Sequence, residues 1–147
     1  MKSEPGECSI DDALAAPGRR VSWFGIRNYQ ARNFMRDDMT IGDAVLFYHS
    51  SCAKPGIAGI ARIASDVYPD ELQFDPESEY YDPKSTKENP RWLTLDVEAL
   101  FKCPVVEIGR LREEPELAGM RVLQKDNRLS ITPVEKEEFA FIVRNLL

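Results

Sequence analysis

Alternating apolar and polar positions predict several short strands, and a few capped segments predict helices. The clearest strand runs from Arg91 to Phe101, where Leu93, Leu95, Val97 and Ala99 alternate with Thr94, Asp96 and Glu98. Ala44 to Tyr48 reads as a buried strand entered from the turn Thr40-Ile41-Gly42-Asp43. The turn Lys54-Pro55-Gly56 joins it to a second strand, Ile57 to Ala64, so that the two form a predicted hairpin. Strict alternation puts Ile57, Gly59, Ala61 and Ile63 on one face of that strand and Ala58, Ile60, Arg62 and Ala64 on the other. Val21 to Trp23 and Arg128 to Ile131 are shorter strand candidates.

Helix signals are sharper. Ser9-Ile10-Asp11-Asp12 offers an N-cap followed by acidic first-turn residues, and Pro17-Gly18 stops the helix soon after. Asn28 to Met35 reads as about two turns, with Tyr29, Phe34 and Met35 inward. A short helix within Glu107 to Glu114 is cut by Pro115. Thr132-Pro133-Val134-Glu135 predicts a final helix with Thr132 as its cap, burying Val134, Phe139, Ile142, Val143 and Leu146. Between these elements lies a long irregular stretch, Tyr68 to Pro90, punctuated by Pro69, Pro76 and Pro83. Its aromatics, Tyr68, Phe74, Tyr80 and Tyr81, predict an ordered loop packed back on the body. Met1 to Pro5 opens without an apolar strand. The sum is an α+β fold, a small closed or nearly closed β-barrel of about five or six strands flanked by short helices.

At 147 residues, 43% hydrophobic and 30% charged, the chain is sized as one domain, 1–147, able to bury its own core. The net charge of -6 argues against gripping nucleic acid mainly by neutralising phosphates, since that mode needs a basic face. It leaves room for binding one nucleotide or a short strand. Cys8, Cys52 and Cys103 are scattered and His49 is the only histidine, so neither a zinc site nor a disulfide framework is expected. No apolar run approaches membrane-spanning length. A cytoplasmic monomer without metal or cofactor is the expectation.

The chemistry concentrates in Trp23-Phe24-Gly25-Ile26-Arg27-Asn28-Tyr29-Gln30-Ala31-Arg32-Asn33 and in the strand end Tyr48-His49-Ser50. Amides read base edges, indoles stack on bases, and arginines hold phosphates. Trp23 and Trp92 are the candidate aromatic walls, each alternatively a core tryptophan. Asn28, Gln30 and Asn33 are candidates for the base edge, or else for capping and tying down a loop. Arg27 and Arg32 hold a phosphate, or pair with Asp residues of the long loop. Neighbours on a strand point to opposite faces, so Ser50 and His49 are poorly placed as a catalytic pair. A hydrogen-bonding role at the pocket mouth is the better expectation for Tyr48, His49 or Ser50.

In order along the chain, Lys2-Ser3-Glu4-Pro5, the Trp23 to Asn33 stretch, Phe47-Tyr48-His49-Ser50, Pro55-Gly56-Ile57, Phe74-Asp75-Pro76, Tyr80-Tyr81-Asp82-Pro83-Lys84-Ser85, Pro90-Arg91-Trp92 and Arg128-Leu129-Ser130 resemble the EVE domain family. The resemblance spans nearly the whole chain. It implies a PUA-like fold and non-catalytic binding of a modified base in DNA or RNA, modified cytosine being favoured. It also adds Lys2 and Ser3 to the ligand-binding candidates, while Arg128 and Ser130, on the last expected strand, either complete the pocket or satisfy barrel polar groups. Two positions depart from the family pattern: Met1 directly precedes Lys2 where an apolar strand is usual, and Phe24 stands where Asp is common. Two other functions are carried alongside. Related ASCH domains imply a small amidohydrolase acting on acylated cytidine, for which Lys2 and Glu4 are the available pair. An accessory domain beside a nuclease or an RNA-modifying enzyme is the other.

Overall fold

The computed structural model describes residues 1–147. Its centre is a curled five-stranded sheet: β1 (Lys2–Ser3), β2 (Arg20–Ser22), β3 (Ala44–His49), β4 (Gly56–Ile63) and a long strand, Asp96–Glu107, which we number β7. Between β4 and β7, a separate two-stranded ladder pairs β5 (Tyr68–Pro69) with β6 (Leu93–Thr94). The order in the large sheet is β1-β3-β4-β7-β2. Only the β1–β3 pair is parallel; the others are antiparallel. β1 and β2 are therefore the two free edges, and the expected barrel is present as a half-barrel left open between them.

The predicted hairpin is β3–β4, but the alternation expected in β4 is broken. Its pairing slips between Ile57 and Gly59 and again between Ile60 and Ala61. Ala58 and Gly59 consequently face the same way. Ala58 packs in one core cluster, and a Cβ built on Gly59 would meet Ile10 of that cluster at 2.8 Å and the Phe101 carbonyl at 2.5 Å. Ile57 and Ile60 face the opposite cluster. Such a bulge bends its strand and raises the local twist, which curls the sheet.

One core lies on the side of α2 (Ile10–Ala15) and α3 (Tyr29–Asn33) and includes Trp23, Phe47, Ile63, Leu95 and Val97. The other lies under α4 (Ile108–Arg112) and α5 (Lys136–Asn145) and includes Leu46, Tyr48, Ile57, Leu111 and Ile142. β3 serves both, Val45 and Phe47 one way, Leu46 and Tyr48 the other, as a period of two requires. A short helix, α1 (Pro5–Cys8), precedes α2. At α2 the predicted cap is complete: Ser9 Oγ accepts from Asp12 N–H at 3.0 Å, and Asp12 accepts from Ser9 N–H at 2.9 Å. No helix is long and apolar enough to cross a membrane.

Three local expectations are corrected. Arg128 to Ile131 forms no strand; its one link to the sheet is Ser130 O accepting from Lys2 N–H at 2.8 Å. The last helix begins at Lys136 rather than after Thr132, because Glu135 and Glu138 make the reciprocal cap one turn later. The single strand expected from Arg91 to Phe101 is split at Leu95, because Leu93–Thr94 pair with β5 in the small ladder while β7 pairs with β4 and β2.

Candidate functional site

A cleft of about 930 Å³ fills the gap between the free edges of the half-barrel. From β1 and its continuation come Lys2, Ser3, Glu4, Glu7 and Cys8; from β2 and its continuation come Ser22, Trp23, Phe24 and Gly25. Ser50 and Ser51 enter from the end of β3, Arg128 and Ser130 from the irregular strip beside β1, and Glu79 and Tyr80 from the long loop. Of the residues expected to bind ligand, Lys2, Ser3, Trp23, Ser50, Arg128 and Ser130 are brought together here.

Trp23 is the inner wall. It is only 7% exposed, packs edge-on against Phe47 at 5.3 Å between centroids, and still borders the cleft. Its backbone N–H donates to Leu95 O at 2.8 Å, continuing the β2–β7 ladder, so the residue that bears the indole is held by the sheet itself. Ser22 Oγ is within 2.9 Å of Thr94 Oγ1, and Ser3 Oγ donates to Cys8 O at 2.6 Å. Ser51 holds a left-handed backbone, φ 53°, at the bend where the chain leaves β3 for the cleft; such strained non-glycine positions cluster at functional sites.

The outer wall is Tyr80, and its place is set by a network that sequence reading missed. Asp70, 2% exposed, accepts from Gly25 N–H at 2.8 Å and from Arg27 Nη1 at 3.0 Å with one oxygen, and from Leu72 N–H at 3.0 Å with the other. Arg27 Nε then donates to Tyr80 O at 3.0 Å, and its guanidinium lies over the Tyr80 ring at 5.4 Å. Gly25 has φ +85°, and a Cβ there would come within 2.9 Å of the Tyr80 ring. Only glycine fits both the turn and the ring. The loop itself folds around Gln73, which is fully buried. Its Nε2 donates to Asp70 O and Trp92 O, both at 2.8 Å, and its Oε1 accepts from Ser85 Oγ at 2.6 Å and Trp92 N–H at 3.0 Å. All four hydrogen-bonding positions of the amide are used.

The remaining candidates lie outside the cleft. Asn28 is the N-cap of α3, accepting from Ala31 N–H at 3.0 Å, and Gln30 is exposed on that helix. Asn33 accepts from Arg32 Nε and Nη2, while Arg32 Nη1 donates to Arg91 O at 2.9 Å. Trp92 donates from Nε1 to Asp82 at 2.8 Å and stacks on Tyr29 at 4.8 Å. Arg27, Arg32, Tyr29 and Trp92 thus form a cation–π stack that fastens the long loop to α3. Tyr48 points into the second core, beside a separate, mostly apolar cavity of about 570 Å³. His49 Nε2 accepts from Ile10 N–H at 3.1 Å, satisfying a first-turn donor of α2. Burial, and secondarily Lys102, lower its pKa, against the opposing pull of Asp11. A ring held as a neutral acceptor for the backbone is not placed for proton transfer in the cleft.

Electrostatically the cleft is mixed. Lys2 and Arg128 are its only cationic side chains; Glu4, Glu7 and Glu79 are its carboxylates. Burial lowers the pKa of Lys2. Burial, with Glu7 and Glu79 nearby, raises that of the Tyr80 phenol. No group of three or more His, Cys, Asp or Glu side chains is arranged to hold a metal ion. An indole wall, a phenol wall and several serine hydroxyls suit a flat, neutral, hydrogen-bonding ring better than a polyanion.

Residues 1–145 match the model of the family described as EVE domain. Human thymocyte nuclear protein 1 is 39% identical over 97% of this chain and 71% of its own length. A crystal structure of a Pseudomonas putida protein superposes with a TM-score of 0.90 at 48% identity, covering 98% of this chain and 95% of that one. The human THYN1 protein crystallised in complex with 5-methylcytosine-containing DNA superposes with a TM-score of 0.90 at 38% identity, over 98% and 94% of the two chains. The chain belongs to the EVE domain family, and its curled sheet with flanking short helices is the PUA-like fold.

Proposed function

We propose that the protein is a non-catalytic reader that takes one modified nucleobase, modified cytosine favoured, from DNA or RNA into the cleft between β1 and β2. The observation that carries this reading is Trp23: a rigid, nearly buried indole that borders a roomy cleft. The human homologue's complex with 5-methylcytosine DNA supports the same ligand class. Trp23 and Tyr80 hold the ring, and Ser3, Ser22, Ser50 and Ser130 offer the directional donors and acceptors around it. With only Lys2 and Arg128 as cations, the cleft neutralises few phosphates. The slope of log K against log salt is then no steeper than about -2.

Titration of short oligonucleotides with and without a modified cytosine tests the reading. Trp23→Ala should weaken binding of the modified strand by about 1–3 kcal/mol, the value of one base–aromatic stack. Equal affinity for modified and plain strands overturns the proposal. So does an unchanged affinity in a folded Trp23→Ala protein.

One observation favours a second reading, hydrolysis of an acylated cytidine. Lys2 and Glu4 border the same cleft, and burial makes Lys2 easier to deprotonate. Turnover of acylated cytidine that is abolished by Lys2→Ala would replace the reader with an enzyme.

A further inference from the structure

Phe24 is the residue the base-binding reading leaves unused. It follows the inner wall Trp23 directly, borders the cleft, and is 51% exposed. Its ring meets Tyr80 edge to face, 6.0 Å between centroids and 72° between planes, so Tyr80 covers only part of it. An aromatic left half in water at a cleft mouth has apolar surface still to bury. The cleft volume of about 930 Å³ is near the upper end for small-molecule sites and exceeds what one base needs.

We propose that Phe24 is a second stacking position, which takes the base next to the one held at Trp23, so that the ligand is a locally unpaired strand of two or more nucleotides. This rests on the base-reader reading of the cleft. Trp23, 7% exposed, lies at the inner wall of the cleft, and Phe24, half exposed, lies at its mouth against Tyr80. A base held at the inner wall has left its stack, and a neighbour held against the ring at the mouth has left its own, which an intact duplex does not allow. Charge agrees. Glu4, Glu7 and Glu79 outnumber Lys2 and Arg128 at the same cleft, so it offers phosphates no net attraction and leaves base faces as the attractive contact.

The test is a double comparison by titration. One trinucleotide carries a modified cytosine flanked by adenines; the other carries it flanked by abasic sites. Wild-type protein should prefer the adenine-flanked strand by about 5- to 140-fold, the range of one stacked base. Phe24→Ala should erase that preference and leave affinity for the abasic-flanked strand unchanged, whereas Phe24→Tyr should retain the preference. A preference that survives Phe24→Ala overturns the inference. So does a loss of affinity for the abasic-flanked strand equal to that for the other. Wild-type binding of neither strand refutes the base-reader reading, and the inference falls with it.

Discussion

Replacing Asp70 by Asn exchanges a single oxygen for an NH₂ group at a site 2% exposed to solvent. The carboxylate accepts three hydrogen bonds there, from Gly25 N–H, Arg27 Nη1 and Leu72 N–H. Asparagine has one acceptor oxygen. If that oxygen faces Gly25 and Arg27, the amide NH₂ confronts the Leu72 N–H, and the Arg27 charge loses its counter-ion. The reverse orientation forfeits two bonds, including the charged one. An orphaned buried donor costs about 1–3 kcal/mol and a hydrogen bond to a charged group contributes about 1.5–3 kcal/mol. Breaking a buried ion pair falls in the same total, about 3–5 kcal/mol. The Arg27 side chain is 21% exposed, so solvent screens part of the loss and places it near the lower end, about 3 kcal/mol. With an m-value near 2 kcal/mol/M, the urea midpoint should fall by about 1.5 M. Intrinsic fluorescence reads this from both ends of the network, because Trp23 and Trp92 are the only tryptophans. Arg27→Met and the double substitution complete a cycle that isolates the pair. A loss below about 1 kcal/mol, the value of an exposed ion pair, would refute the claim that Asp70 pins the Gly25–Arg27 turn.

Gly59→Ala should destabilise by about 1–3 kcal/mol by overpacking, measured by denaturant titration, because its Cβ would meet the Phe101 carbonyl at 2.5 Å. Asn28→Ala should cost about 1 kcal/mol of stability as a lost N-cap and leave discrimination between modified and plain bases intact. His49 has a folded pKa below its ordinary value of 6.5, so its contribution is fully present above pH 6.5 and is lost as pH falls through the folded value. Stability measured from pH 7 down to 5 should therefore fall more steeply in wild type than in His49→Gln; parallel curves would show that the Ile10 N–H bond does not need a neutral imidazole.

The hairpin, the cap at Ser9 and the strand from Asp96 to Phe101 are legible because each is written in local alternation or local capping chemistry, whereas the break at Leu95 is set by pairing with distant strands. Of the cleft residues, Trp23, Ser50, Arg128 and Ser130 are legible as candidates in the residues themselves, Lys2 and Ser3 only through resemblance. Asn28 and Gln30 looked like base readers because amides are costly to bury alone, yet one is satisfied by its own helix and the other is exposed. Of the two roles open to Arg27, pairing with an aspartate of the long loop is the one present, but nothing local singles out Asp70, which lies 43 residues away. Tyr80 and Phe24 were legible only as aromatics; their place at the mouth depends on Gly25, whose missing side chain lets the tyrosine ring approach. The final strand candidate failed because Arg128 to Ile131 shares one backbone bond with β1 and no ladder.

The slipped pairing in β4 has a consequence far from itself. A half-barrel behaves like an open spring clip: the width of its opening is the sum of the bends made by the strands in between. Here the jaws are β1 and β2, and the bend is concentrated between Ile57 and Ala61, on a strand with no residue in the cleft. The width of the cleft is thus encoded partly in residues that do not line it. Relatives that regularise this strand should present a cleft of different width between unchanged jaws.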